Sequence, residues 1–200
     1  ITHYETRKAI CEYGRSLLED DLTTGTGGNL SARLDEDHIA ISPSGIPYEE
    51  IDPEDVPLVT IDGEQVAGKL GASSEKPMHL QIMRERDDVG AVVHTHSPYA
   101  STFASLDQSV LPSHYLIAFV GDQIPVAPYE TYGTAELAEA ALETLGDEYN
   151  ACLLQNHGVI AVGEDAEAAY EVALMVEYVS RIHYQALNAG DPVLLADEAV

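Results

Sequence analysis

Short apolar runs closed by glycine and proline turns alternate along this chain with longer stretches whose apolar residues recur at helical spacing. This interleaving constrains the fold more than any single motif. Strands with one apolar face and helices with one apolar stripe bury both only by packing together, so a sheet covered by helices is expected. Residues 3–20 place Tyr4, Ile10, Cys11, Gly14, Leu17 and Leu18 at helical spacing. Gly25-Thr26-Gly27-Gly28-Asn29-Leu30-Ser31 reads as a tight turn. Strands are expected at 38–42, 58–61, 89–95, 151–154 and 159–162. Helices are expected at 76–86 with Pro77 in the first turn, at 98–106, at 133–145 with Thr134 as cap, and from about Asp165 to Leu187. Short turns such as Asp62-Gly63 imply antiparallel pairing in parts. Periodicity leaves the strand order open.

A chain of 200 residues with 45% hydrophobic content fits a single domain over residues 1–200, and it is not a disordered polymer. No apolar run is long enough to span a membrane. The polar N-terminus does not read as a signal peptide, and Cys11 and Cys152 in apolar surroundings read as free core thiols, so a reducing cytoplasm is the expected location. The charge is extreme: 35 acids against 9 bases, a formal net charge of -26. Such a surface repels nucleic acid and anionic lipid. The acids are dispersed, which suits a polycation-binding tail poorly and a salty, halophilic cytoplasm better, because salt shortens the range of self-repulsion.

His94-Thr95-His96 lies where a strand is expected, and residues two apart on a strand share a face. Both imidazoles then reach one metal ion. Glu75 and His157, each at a turn, are further candidate ligands. Three neutral histidines with an open position make a catalytic zinc site. Packed core histidines are the competing reading, and spacing does not separate the two. Glu75 precedes a helix start. It reads as a general base beside a metal, or as an acid favouring the helix dipole. Gly28, Asn29, Ser44, Gly45, Ser73 and Ser74 sit at turns where backbone N–H groups and hydroxyls can cradle a phosphate, or where they serve only the turns. No G-x-x-x-x-G-K-[ST] occurs, and Gly25-Thr26-Gly27 lacks the strand-to-helix setting of a dinucleotide fingerprint. His114-Tyr115, Tyr129 and Tyr132 flank a proline-rich connection, as proton donors or as packing residues.

Taken in order, several stretches resemble the class II aldolase and adducin family, most of all its L-fuculose-1-phosphate aldolase branch. They begin with residues 25–31 and Ser42-Pro43-Ser44-Gly45-Ile46-Pro47-Tyr48-Glu49. Gly68-Lys69-Leu70 with Ser73-Ser74-Glu75, Val92-Val93-His94-Thr95-His96 and His114-Tyr115 follow. Ile124-Pro125, Ala127-Pro128-Tyr129, Tyr132-Gly133-Thr134 and Leu154-Gln155-Asn156-His157-Gly158 complete the series.

The resemblance implies a three-layer α/β/α fold with a mostly antiparallel central sheet flanked by helices. It implies one Zn2+ per subunit on His94, His96 and His157, with Glu75 as acid/base residue that also touches the metal. Phosphate would be held at Gly28, Asn29, Ser44, Gly45, Ser73 and Ser74. Tyr115 would reach the site of a neighbouring subunit as proton donor, in a homotetramer with sites at subunit interfaces. The implied reaction is reversible retro-aldol cleavage of a ketose 1-phosphate of the L-fuculose 1-phosphate type to dihydroxyacetone phosphate and a small aldehyde such as lactaldehyde. An L-ribulose-5-phosphate 4-epimerase, a thiosugar-phosphate dehydratase and a non-catalytic adducin-like scaffold are the alternatives. Glu75, where the epimerases tend to have aspartate, favours the aldolase; the retained histidines disfavour the scaffold. Two departures stand out. The family's chain continues past the position of Val200 to a further tyrosine, and Tyr132 stands where the aldolases often have phenylalanine.

Overall fold

The computed structural model describes residues 2–196; Asp197-Glu198-Ala199-Val200, where the family's tail would begin, lie outside the described residues. Among the described residues five α-helices and eight strands follow in the order α1 (Tyr4–Glu19), β1 (Asn29–Arg33), β2 (His38–Ile41), β3 (Leu58–Thr60), β4 (Gln65–Ala67), α2 (Lys76–Glu85), β5 (Ala91–Thr95), α3 (Pro98–Leu106), β6 (Val126–Ala127), α4 (Ala135–Leu145), β7 (Ala151–Leu154), β8 (Gly158–Gly163) and α5 (Ala166–Ala189). Two short 3-10 turns, Tyr48–Glu50 and Tyr115–Phe119, lie in the connections. The strands form one sheet in the order β4-β3-β2-β1-β5-β8-β7-β6. Every pairing is antiparallel except β6 with β7.

Strand periodicity divides the core into two layers. On one face Leu30, Ala32, Val93, Val159 and Ala161 pack with Ile10 and Leu17 of α1, Phe103 of α3 and Val176 of α5. On the other face Ile39, Val92, Ile160 and Val162 pack with Met78 and Ile82 of α2 and Leu137 and Ala141 of α4. The result is the expected helix/sheet/helix sandwich. Cys11 and Cys152 are buried free thiols in opposite layers. Burial pushes them up to about 11 and about 12, which keeps them protonated and inert. Among the described residues no helix is long and apolar enough to cross a membrane.

The helices match their sequence signals closely. Thr134 caps α4 by accepting from the Leu137 N–H at 3.3 Å, and Asp165 caps α5 by accepting from Ala168 N–H at 2.9 Å. One reading needs correction. The glycine-rich turn ends at Gly28, and Asn29-Leu30-Ser31 open strand β1. That strand is defined by partners distant in sequence: Ser31 lies opposite Ile41 on β2 and Val92 on β5. The expected 89–95 strand begins at Ala91, and β4 and the two-residue β6 were not anticipated.

Candidate metal centre

The alternation that builds the two layers also aims the chemistry. On β5, Val93 points to the α1/α3/α5 layer, so Val92 and His94 point to α2. On β1, Leu30 takes the first face, which turns Asn29 and Ser31 toward α2 as well. Asn29 and His94 are directly opposite each other across the β1/β5 ladder. His96 follows the end of β5, where its backbone N–H donates to the Leu22 carbonyl at 3.0 Å. His157 sits in the tight β7–β8 turn after Asn156, whose φ of 56° is left-handed. Gly158 is required there: a Cβ would stand 2.2 Å from the Thr95 carbonyl oxygen. Glu75 is the N-cap residue of α2, yet its side chain makes no capping bond and turns instead to the imidazoles.

One ligand atom from each of Glu75, His94, His96 and His157 lies within 4.8 Å of the others. Nε2 of His94 is 3.0 Å from Nε2 of His96 and 3.3 Å from Oε2 of Glu75; Nε2 of His157 is 3.3 Å from Glu75 Oε1. Ligands around a tetrahedral ion with bonds near 2.0–2.1 Å stand about 3.4 Å apart. Nδ1 of His94 donates to the Val159 carbonyl at 2.8 Å, which leaves Nε2 as the lone-pair nitrogen facing the cluster. Glu75 Oε1 is buried without a hydrogen-bond partner. An orphaned carboxylate oxygen and converging imidazole nitrogens are what a divalent cation satisfies. The residues fit a metal.

Electrostatics agree. Burial, with His94 and His157 alongside, brings the His96 imidazole down to about 4, so it is neutral at pH 7. Burial pushes the Glu75 carboxyl up, but the imidazoles of His94 and His157 beside it and the Asn29 amide donating to Oε2 outweigh it and hold the acid ionised, well below the usual carboxylate range. A cation among the four acts in the same direction.

The turns singled out for phosphate are joined in series. Leu30 N–H donates to Ser42 Oγ, Ser73 N–H to the Ser42 carbonyl, and Ser44 N–H to the Gly71 carbonyl. Gly28 has φ 72° and lies so close to the His94 carbonyl that a Cβ would meet it at 2.8 Å. Gly45 has φ 68° with open space around it, and Ser44 and Ser74 are exposed. Ser73 is buried and its hydroxyl accepts from Glu75 N–H at 3.2 Å. Asn29 donates from Nδ2 to Glu75 Oε2 at 2.8 Å. The structure thus brings Asn29 and Ser73 directly onto Glu75. Tyr115 stands apart from the four: it is 66% exposed and packs on its neighbour His114.

Two residues escaped the sequence reading. His79, one helical turn after Glu75 on α2, is fully buried and bonded to Asn29 and Ser31. Glu177 on α5 accepts from Tyr99 and Ala100 N–H, both at 3.0 Å, and so ties down the start of α3 just past His96. The i,i+4 spacing from Glu75 was a signal for His79; nothing local marked Glu177.

The model of the class II aldolase and adducin N-terminal domain matches residues 8–184. The chain belongs to that family. A 5-deoxy-D-ribulose 1-phosphate aldolase of Bacillus thuringiensis is 46% identical over 193 residues, covering 96% of this chain and 90% of its own. The L-fuculose phosphate aldolase of Escherichia coli is 38% identical over 181 residues, covering 90% and 83%. A solved L-fuculose 1-phosphate aldolase superposes with a TM-score of 0.95 at 41% identity, covering 99% of this chain and 93% of that one. With this family membership, these aldolase relatives and the Glu75/His94/His96/His157 cluster, the chain is a class II aldolase, a lyase.

Proposed function

We propose that this aldolase cleaves a ketose 1-phosphate, reversibly, to dihydroxyacetone phosphate and a small aldehyde. The observation that carries the reading is the ionised Glu75, whose Oε1 is buried without a hydrogen-bond partner beside three imidazoles. The nitrogen-and-carboxylate donor set favours zinc, with His94, His96 and His157 holding it and Glu75 within reach. When bound, the metal supplies a fixed positive charge where negative charge develops on the donor's oxygens.

The chain's own residues do the rest. The hydroxyls of Ser44, Ser73 and Ser74 and the backbone at Gly28 and Gly45 hold the phosphate, and the Asn29 amide lies between this cradle and Glu75. In the condensation direction Glu75 Oε1 takes the proton alpha to the donor carbonyl; in cleavage it returns that proton. Tyr115, exposed outside the cluster of its own chain, gives the new alkoxide its proton in the site of a neighbouring subunit of a homotetramer. No amine nucleophile is needed, which suits a chain with three lysines, Lys8, Lys69 and Lys76.

The two relatives frame the substrate. A 5-deoxyribulose 1-phosphate would release acetaldehyde, and an L-fuculose 1-phosphate would release lactaldehyde. Both share the dihydroxyacetone phosphate half that the site is built around. The test is cleavage of both phosphates in high salt, with dihydroxyacetone phosphate as readout, before and after chelation. Turnover of at least one that vanishes with chelator and returns with zinc supports the reading; no turnover of either by the metal-loaded protein overturns it.

A further inference from the structure

Behind Glu75 runs a chain of side-chain hydrogen bonds that no cofactor role requires. Ser31 Oγ is 2.7 Å from Nδ1 of His79. Nε2 of His79 is 2.5 Å from Oδ1 of Asn29, and Nδ2 of Asn29 is 2.8 Å from Oε2 of Glu75. Two elements contribute: β1 carries Ser31 and Asn29, and α2 carries His79, with Glu75 as its N-cap residue. His79 and Ser31 are at most 1% exposed, and Asn29 is 5% exposed.

The donors and acceptors along this chain have one consistent assignment. The ionised Glu75 only accepts, so Asn29 must present its NH2 to it and its carbonyl oxygen to His79. That oxygen also only accepts, so His79 carries its proton on Nε2. Nδ1 is then the lone-pair nitrogen, and Ser31 donates to it. Burial takes the His79 imidazole down to about 3, in keeping with this neutral form. Turned the other way, the Asn29 carbonyl would face a carboxylate oxygen at 2.8 Å with no proton between them.

We propose that His79 is a positioning residue for the reaction: its Nε2–H fixes the Asn29 amide, which ties down Glu75 Oε2 and leaves Oε1 as the working oxygen. This rests on the function proposed above. The two carboxylate oxygens otherwise exchange places by rotation about the terminal bond of the side chain. Asn29 singles out one of them, and His79 makes Asn29 able to do so. A buried histidine that served packing alone would not depend on which nitrogen carries the proton.

The test uses two substitutions and one spectrum on the full chain with zinc in excess. His79→Gln can keep an amide N–H near the position of Nε2, whereas His79→Asn reaches only as far as Nδ1 and loses the donor to Asn29. His79→Asn is expected to lower kcat by about 10- to 100-fold with little change in KM, and His79→Gln to recover most of it. Equal losses in both variants, or none in His79→Asn, overturn the proposal. Nitrogen-15 spectra of histidine-labelled wild type, with His79 assigned by its disappearance in His79→Gln, are expected to show Nε2 protonated and Nδ1 bare. The opposite tautomer or an imidazolium overturns it, even where His79→Asn fails to fold. Wild type without turnover of either ketose 1-phosphate defeats the aldolase reading itself, and the spectrum then still decides the hydrogen-bond chain.

Discussion

Glu75 concentrates the chemistry of the site in one side chain, and its two oxygens have different surroundings. Oε2 accepts from Asn29 while Oε1 has no hydrogen-bond partner. Glu75→Gln preserves the shape and removes the basic oxygen. Exchange of the donor's alpha proton with solvent is expected to fall by about 100-fold or more, with the thermal melt retained; unchanged exchange would place the base elsewhere. His79 adds a pH effect. Its folded-state pKa of about 3 lies below the usual value of 6.5. The neutral form is thus favoured by folding, so its contribution is complete above pH 6.5 and is lost as pH falls toward 3. Between pH 6.5 and 4 the loss is about 3 kcal/mol. Chelated wild type should therefore lose more melting temperature over that interval than chelated His79→Gln; parallel slopes would contradict the buried neutral imidazole. At this scale the sequence singled out the four residues that converge and gave only a spacing hint of what supports them. His94-x-His96 shares a strand face and reads as a pair, whereas a single histidine on a helix carries no mark of the asparagine it meets 50 positions away.

Elements were legible where their signals are local and hidden where they are not. Helices α3, α4 and α5 declare themselves through period and caps. Strand β1 does not, because Asn29-Leu30-Ser31 continues a glycine-rich turn in sequence and becomes a strand only by pairing with β2 and β5. The same limitation hid β6, whose two residues are strand only through the parallel pairing of Val126 with Leu153 and Ala127 with Leu154. Element packing at the site is tightest at Gly158, where β8 starts alongside the end of β5 and Thr95 pairs with Val159. A methyl group there would meet the Thr95 carbonyl at 2.2 Å and the His96 ring at 2.9 Å. Gly158→Ala must push the two strand ends apart, at an overpacking cost of roughly 1–3 kcal/mol. For a chain of this size that is a fall in Tm of about 2–12 °C. Because the displaced ends carry His96 and His157, retention of a divalent metal should fall as well. A variant that melts like wild type and keeps its metal would mean that the turn relaxes without disturbing the ligands.

For the whole molecule, the formal charge of -26 is barely offset by pairing. Among the described residues the lysine and arginine bridges to carboxylates are Lys8–Glu12, Lys69–Glu54 and Arg86–Asp88. Other bases donate to backbone carbonyls. Arg33 donates to the Met83 and Val89 carbonyls, Arg84 to Ile61, Arg15 to Ile51 and Lys76 to Gly63. These cations bond backbone oxygens and not carboxylates, and with 35 acids against 9 bases most acids have no basic partner. This makes the expected salt adaptation a matter of range. The screening length is about 10 Å at 0.1 M salt and about 3 Å at 1 M, so repulsion between neighbouring exposed carboxylates is largely removed in concentrated salt. The unfolded chain is more expanded and suffers less from the same charge, so screening favours the folded state. Tm is therefore expected to rise steadily from 0.1 to 2 M KCl, and most steeply at the low end, where screening changes fastest. Repeating the titration at a pH near 4.3, the sequence pI, separates this cause from general salting-out. With the net charge near zero the low-salt rise should flatten. A Tm indifferent to KCl at neutral pH, or a rise of equal slope at both pH values, would refute charge repulsion as a source of salt dependence.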